Sequence, residues 1–448
     1  MSTGEHSELR EFVLQRLQHG AASELRDTIH GLHPADLAQI LESIPPEQRR
    51  LIWFEVAESD MGEILAKASD GVRENLIANM DSSTLVRAIQ KLDIDDIAEL
   101  VPDLSSQIIA DVMVAVDEDR RQGLGAVLSY EEQTAGRLMN VDTVVVRETI
   151  SVGVVMRYLR LRGELPEPTD KLYVVDREGM LRGTLLLRNL VTSDLSQQVS
   201  TVMDESPHTF SPSDSEEHVA NSFERYDLTS APVIDDKGHL IGRITIDDVV
   251  DVIQDSASRT FLAPAGLDDE EDIFAPVFQT ARKRAIWLGV NLVTAVLASW
   301  VIGQFEEAIE KLVALAVLMP IIASMGGNAG TQTLTKVIRG LGVGTISIAN
   351  AKDVLKKELL VGGLNGLVWA LVVACISILW YQNYGLAAIV AIAMLVNICV
   401  SAASGVLLPV LLERVGIDPS LAAGVALTTI TDVVGFLAIL GFAALVLV

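Results

Sequence analysis

A carboxylate, Asp432, stands in the middle of a long apolar stretch, SLAAGVALTTITDVVGFLAILGFAALVLV. At the centre of a membrane an ionised side chain costs about 2.5–3.5 kcal/mol unless it faces protein or water. Thr428, Thr429 and Thr431 lie close by, and Thr428 is one helical turn from Asp432 on the same face. Hydroxyls and a carboxylate make a hard-oxygen lining that suits a hydrated divalent cation. An interhelical hydrogen bond and a proton relay are the other uses of such a carboxylate. A second apolar stretch contains MPIIASMGGNAGTQT, which places Pro320, Gly326, Gly327 and Gly330 inside one helix. Glycines there permit close packing or local unwinding. Packing accounts for the glycines but not for Asn328 and Gln332. Asn291, Asn365 and Asn397 read as ties between helices. Asp418 precedes Pro419, which reads as a helix cap or, alternatively, as a cation site at a pore mouth.

The other acids gather in the first part of the chain. Asp93, Asp95, Asp96 and Glu99 form one group, and Glu216, Glu217 and Asp227 a second. Asp247, Asp248, Asp251 and Asp255 run along one helix, the last three on a single face. Like charges this close repel, and a divalent cation would relieve them; a solvated acidic face is the alternative. No Ser/His/Asp arrangement, phosphate-binding glycine loop or His pair with metal spacing suggests an enzyme. Cys375 and Cys399 lie in apolar runs and form neither a metal-ligand spacing nor a disulfide framework.

These residues need very different surroundings, and the composition supplies them. The chain has 448 residues and a net charge of −26, yet half its residues are hydrophobic. Residues 1–280 carry 52 Asp and Glu against 24 Lys and Arg, whereas residues 281–448 carry 8 against 10. So acidic a region excludes nucleic acid as a partner and favours cations. Five apolar segments, near 285–304, 311–339, 356–380, 386–412 and 419–447, are each long enough to span a bilayer. If they span in turn, Arg282, Lys283, Arg284, Lys336, Arg339, Lys352, Lys356, Lys357 and Arg414 fall on one side, and Lys311 on the other. The positive side is cytosolic. The polar, acidic N-terminus has no signal-peptide core. We therefore expect a multi-pass protein of the cell membrane, with the N-terminus in the cytosol and the C-terminus outside.

Residues 5–130 show apolar residues at spacings of three and four, with Pro near a helix start in LHPADLAQILESIPPEQ. Paired short helices of this kind predict a superhelical domain. Farther on, LYVVDREGMLRGTLLLRNL (172–190) is repeated 59 residues later as APVIDDKGHLIGRITIDDV (231–249). Each copy predicts strand, Asp/Gly turn, strand and helix, and the pair implies two subdomains about a pseudo-twofold axis. This repeat resembles the paired cystathionine-β-synthase (CBS) domain, pairs of which often bind adenine nucleotides.

The order of parts, and above all MPIIASMGGNAGTQ, RYDLTSAPVIDDKGHLIGRITIDDVVDVI and TTITDVVG, resembles the MgtE family of Mg2+ channels. The resemblance covers nearly the whole chain. It implies an α-helical superhelical N domain (1–130), an α/β CBS-domain pair (131–253), a plug or connecting helix with its linker (254–280) and an all-α, five-helix transmembrane pore domain (281–448). It implies a homodimer in a lipid bilayer, with Mg2+ as cargo, Mn2+, Co2+ and Ni2+ as further candidates, and ATP as a candidate ligand of the CBS pair. Asp432 matches the family's pore carboxylate, and Asn328 with Gly326 and Gly327 matches the second-span pore segment. Thr428 and Thr431 accompany Asp432. The family also closes when cytosolic Mg2+ bridges its acidic surfaces. Asp95 and Glu99 match N-domain acids; Gly136, Glu216, Asp227, Asp248 and Asp251 match CBS-side positions; Asp418 matches an acid at the start of the last span. One departure stands out. Ser256, Arg259 and Thr260 occupy plug-helix positions where acids are expected, which implies weaker or different Mg2+ gating. A proton- or Na+-coupled transporter of divalent cations is the alternative to a Mg2+-gated channel.

Overall fold

A computed structural model of the chain describes residues 28–263 and 272–446, together with Val13, Arg26, Gly266 and Leu267. It divides into two compact units. The first contains residues up to Ser256 and Glu270–Pro276; the second contains Ala257–Asp269 and Val277 onward. Each is described by itself.

The first unit begins with short helices: α1 (Pro34–Glu42), α2 (Pro46–Trp53), α3 (Glu58–Lys67), α4 (Asp70–Ile77), α5 (Ser82–Ile89), α6 (Ile94–Leu100), α7 (Ser106–Ala115) and α8 (Glu118–Val127). Their starts are written in the sequence. Pro34 and Pro46 occupy first-turn positions, where the missing N–H costs nothing. The Asp81, Ser105 and Asp117 side chains accept from the backbone amides of Thr84, Ile108 and Arg120. One stripe of each helix supplies the core, with Leu41, Ile44, Ile52, Ile64 and Leu65 fully buried.

A short α9 (Ala135–Leu138) leads into the repeated part. There β1 (Val145–Arg147) pairs in parallel with β2 (Lys171–Val175), and β2 pairs antiparallel with β3 (Leu181–Leu186). Helix α10 (Val152–Arg162) connects β1 and β2, and α11 (Leu187–Thr192) follows β3. After α12 (Glu216–Tyr226), β4 (Ser230–Ile234) and β5 (Leu240–Thr245) form the second antiparallel pair. The repeat holds in atomic detail. Asp176 accepts from the amides of Glu178 and Met180, and Asp235 accepts from those of Lys237 and His239. Gly179 and Gly238 both adopt φ +88°, open to glycine at no steric cost. The turns then pair with each other, the Leu181 amide to Gly238 O at 2.9 Å and the Leu240 amide to Gly179 O at 3.2 Å.

Helix α13 (Ile246–Leu262) is continuous and crosses 253/254, where the CBS pair is expected to pass into the connecting helix. It ends at Leu262, two residues before Pro264 in the sequence.

The second unit is helical: α14 (Val277–Gly303), the short α15 (Glu306–Lys311), α16 (Ala314–Gly342), α17 (Ala351–Tyr381), α18 (Tyr384–Val415) and α19 (Pro419–Val446). All but α15 are long and apolar enough to cross a membrane, in the five places that the sequence suggests. Helix α18 is central: Ala393, Met394, Asn397 and Ser401 are wholly enclosed. Much of α14 and α17 presents apolar side chains outward, as lipid-facing helices do.

Candidate functional site

Helix α19 starts at a capped end. Asp418 Oδ1 accepts from the Ser420 amide at 2.8 Å and from Ser420 Oγ at 2.7 Å. The carboxylate is exposed and occupied as a cap. Farther along, Gly424, Thr428 and Asp432 succeed one another at intervals of one turn, which puts them on one face. Thr428 is exposed and Asp432 half-buried, so among the described residues nothing covers this face fully. Thr431 is different. It is fully buried, and its hydroxyl donates to Thr428 O at 3.0 Å, so it supports α19 from inside the bundle.

Helix α16 shows the same division. Asn328, Thr331, Gln332 and Thr335 are all exposed, at the 0, 3, 4, 7 spacing of one helical stripe. Asn328 and Gln332 stand out in the sequence; Thr335 does not, although its i+7 position relative to Asn328 is the signal. The glycines face both ways. Gly327 has open space before it, whereas a side chain on Gly326 would strike the Asn397 amide and one on Gly330 would strike Leu427. The helix is unbroken through this stretch, so Gly326 and Gly330 serve close packing rather than unwinding.

The two polar stripes share a cavity of about 290 Å³, lined by Thr331 and Thr335 of α16, Ser420 and Thr428 of α19, Asn291 of α14 and Thr260 at the end of α13. Thr260, which the sequence marks as a departure from the acidic plug pattern, thus adds a hydroxyl to a wall in which hydroxyls alternate with Trp287, Leu334, Ile338 and Val425. These groups can exchange hydrogen bonds with the water shell of a cation without stripping it. Asp432 lies one turn beyond Thr428.

A buried ion pair joins α16 and α17. Glu358 of α17 is 5% exposed, and its carboxylate accepts from Lys336 Nζ of α16 at 2.5 Å. Glu358 is hard to single out in the sequence because it lies among lysines near the end of an apolar segment.

In the first unit, Asp93 at the N-cap of α6 and Asp95 and Asp96 within it lie close enough to Asp247 and Asp248 of α13 for their charges to act on one another, with Asp251 a turn farther along α13, and together they form an acidic cleft. Burial, then the Asp95 charge, pushes the Asp96 carboxyl up to about 7. Burial and neighbouring carboxylates also raise Asp95 and Asp248, and burial raises Asp93 and Asp251. Asp95 accepts from Asn140 Nδ2 at 3.2 Å, and Asp248 from Thr245 Oγ1 at 3.0 Å. Lys67 of α3 reaches Asp251 at 3.8 Å, a fixed cation within the cleft. Crowded, partly desolvated carboxylates are the donor chemistry a hard divalent ion takes. Among the described residues, however, no three His, Cys, Asp or Glu side chains converge as a preformed metal site.

The remaining expected sensor residues are dispersed. Glu99 pairs with Arg73 at 2.8 Å, and Arg73 also binds Asp70 and Asp103, so Glu99 already has a cation. Glu216 and Asp227 do not form a cluster. They stand at the start and the C-cap of α12, whose 11 residues rise about 16 Å. Gly136 donates its amide to Pro212 O at 2.9 Å and lies under the Tyr130 ring, leaving its carbonyl as the oxygen it can offer.

Comparison with known proteins follows the same division. Residues 32–133 match the family model of the MgtE intracellular N domain, residues 199–255 that of the CBS domain and residues 319–442 that of the MgtE divalent cation transporters. The chain belongs to the MgtE family. It is 29% identical over 441 residues to the magnesium transporter MgtE of Thermus thermophilus, covering 97% of both chains. It is 26% identical over 440 residues to the magnesium transporter MgtE of Bacillus subtilis, covering 98% of this chain and 97% of that one. Among solved structures, the cytosolic domain of the Mg2+ channel MgtE in complex with ATP matches 54% of this chain and 98% of its own, at 29% identity and a TM-score of 0.49. The soluble part of a magnesium transporter matches 56% and 99%, at 24% identity and a TM-score of 0.49. The family is one of transporters, not enzymes, and this member is a multi-pass membrane protein.

Proposed function

We propose that this MgtE-family protein is a Mg2+-selective channel that closes when Mg2+ occupies its acidic cytosolic region. The observation that carries the proposal is the incompletely covered face of α19, where Thr428 and Asp432 follow one another a turn apart beside a cavity lined in part by hydroxyls. A carboxylate kept at that depth is costly unless it faces protein or water, and a water-filled ion path supplies that water. In a homodimer the face meets its counterpart, and Asp432 of each subunit holds a Mg2+ that keeps its water shell; Asn328 and the rest of the α16 stripe extend the lining. Mg2+ dehydrates reluctantly, so water-mediated contacts suit it. The driving force is the membrane potential, about 4.6 kcal/mol per 100 mV for two charges.

The orientation follows the Lys and Arg asymmetry: the first unit is cytosolic and the C-terminus lies outside. Gating needs only that Mg2+ bind the closed arrangement more tightly than the open one. Asp95, Asp96, Asp248 and Asp251 supply the hard oxygens, and a bound divalent ion would relieve their repulsion. Asp418, Glu216, Asp227, Glu99 and the Gly136 carbonyl are further ligands that the family resemblance supports. Lys67, together with Ser256, Arg259 and Thr260 on α13, makes the closure of this member less dependent on Mg2+. ATP at the CBS pair completes the reading and is tested by nucleotide-induced thermal shift.

The deciding experiment is Mg2+ flux into liposomes holding wild type or Asp432→Ala, with Mg2+ on the cytosolic face varied. Flux lost in the variant and reduced by cytosolic Mg2+ is the expected result. Wild-type flux in the variant overturns the pore assignment. Flux that depends on a proton or Na+ gradient identifies a coupled transporter instead.

A further inference from the structure

Asn397 lies at mid-length of α18, fully enclosed. Its Nδ2 donates to Ile322 O of α16 at 2.9 Å. Among the described residues no protein group donates to its Oδ1. Two glycines from two other helices press on the amide. A Cβ added to Gly435 of α19 would come 2.9 Å from Nδ2, and one added to Gly326 of α16 would overlap it outright. Three helices therefore meet at backbone distance around one carboxamide, in a membrane interior where an unpaired polar atom is disfavoured. A leucine has nearly the same shape and carries no such penalty. Helix packing alone does not explain why the amide is kept.

The two helices it holds are the two that bear the ion-path groups. Gly326 precedes Asn328 by two residues, and Gly435 follows Asp432 by three. We infer that Asn397 is a positioning residue for ion binding: its carboxamide locks the axial offset between α16 and α19, and with it the placement of Asn328 against Asp432. The hydrogen bond to Ile322 O sets α16 along its axis, and the Gly435 contact sets α19. A shift of either helix displaces the α16 stripe from the α19 carboxylate. This inference rests on the proposal that Asp432 lies on the ion path.

The test measures initial Mg2+ flux against Mg2+ concentration in liposomes holding the full-length chain: wild type, Asn397→Leu, Gly435→Ala, Gly441→Ala and Asp432→Ala. Gly441 lies on the same helix with open space before it, so its alanine variant is the control. A misplaced carboxylate weakens ion binding, whereas a partly unfolded population lowers only the maximal rate. We expect the half-saturating Mg2+ concentration to rise at least about tenfold in Asn397→Leu and Gly435→Ala, equivalent to about 1.4 kcal/mol, and to stay put in Gly441→Ala. If Asn397→Leu does not fold, Gly435→Ala decides, because it keeps the asparagine and disturbs only its seat. An unchanged half-saturation in Gly435→Ala or in a folded Asn397→Leu overturns the inference, even if the maximal rate falls. When that occurs while Asp432→Ala abolishes flux, the positioning role fails alone; when Asp432→Ala conducts like wild type, the ion-path reading falls and the inference with it.

Discussion

Arg49 Nη1 donates to Asp272 Oδ2 at 2.9 Å, although 223 residues separate the two in sequence. Arg49 is fully buried in the helical region, and the Asp272 side chain is 6% exposed. The same guanidinium donates to Leu41 O and Ile44 O, so the arginine ties the end of α1 to a segment that stands just before α14. The segment before α14 is thus fastened to the helical N domain through Asp272. Removing one partner of a buried pair leaves an uncompensated charge, which costs about 3–5 kcal/mol. Asp272→Ala is therefore expected to lower the denaturant midpoint of the first unit and to expose the linker to protease. The double variant Arg49→Met/Asp272→Ala should recover part of that loss, because neither charge is then stranded. Equal stability of wild type and Asp272→Ala in urea titrations would show that the pair is not buried in solution.

The acidic cleft gives a pH dependence whose sign is fixed by the direction of its shifts. Asp96 rises from an ordinary aspartate value to about 7, and Asp95 and Asp248 rise for the same reasons of burial and mutual repulsion. Groups bound more tightly to protons in the folded state stabilise it at low pH and lose that contribution as pH rises through the folded pKa. Without Mg2+, the thermal midpoint of the first unit should fall between about pH 4 and pH 7, the span of the Asp96 shift. Mg2+ should restore more stability above that window than below it, since it binds the ionised cleft. Differential scanning fluorimetry with and without Mg2+ at both ends of the window checks this. A Mg2+ stabilisation independent of pH would remove these aspartates from the binding site.

Thr428 and Thr431 make opposite predictions. Both hydroxyls donate within α19, Thr428 to Gly424 O and Thr431 to Thr428 O, but Thr428 is exposed on the proposed ion face and its oxygen can still accept, whereas Thr431 is fully enclosed. Thr428→Val should leave the fold intact and lower Mg2+ flux several-fold. Thr431→Val keeps the shape but removes a donor from a backbone carbonyl that the helix also uses, so stability should change by less than about 1.5 kcal/mol and flux should stay near wild type. Flux that falls in Thr431→Val but not in Thr428→Val would rotate the pore face of α19.

How far the sequence could be read follows from the range of the forces involved. Helix starts, the 59-residue repeat and the five spans are local or periodic, and the chain writes them plainly: Pro34, the Gly179 and Gly238 turns and the apolar runs were legible without coordinates. Asp432 and Thr428 were legible for the same reason, since one turn of helix fixes their relation. What was not legible depended on partners distant in sequence. Nothing near Asp272 announces Arg49, and nothing near Glu358 distinguishes it from the lysines around it. The likeness of Gly326 to Gly327 hid that one seats Asn397 and the other faces open space. Glu216 and Asp227 looked clustered because both are acids on one short segment, until α12 set them at its two ends.

Lys336 and Glu358 form an unequal pair. Lys336 is 56% exposed on its side chain, whereas the Glu358 carboxylate is 7% exposed. The amine can reach water when its partner is lost, because a long aliphatic stem lets the charge snorkel. The carboxylate cannot. Lys336→Met should therefore cost several kcal/mol, about 3–5, by stranding a buried anion. Glu358→Gln should cost less, because a neutral amide of the same size still accepts from Lys336 and Thr333. Thermal midpoints of the two variants in detergent measure the asymmetry directly. Equal losses would mean that the lysine is as enclosed as the glutamate, and that helices α16 and α17 pack more tightly at this end than the structure has them.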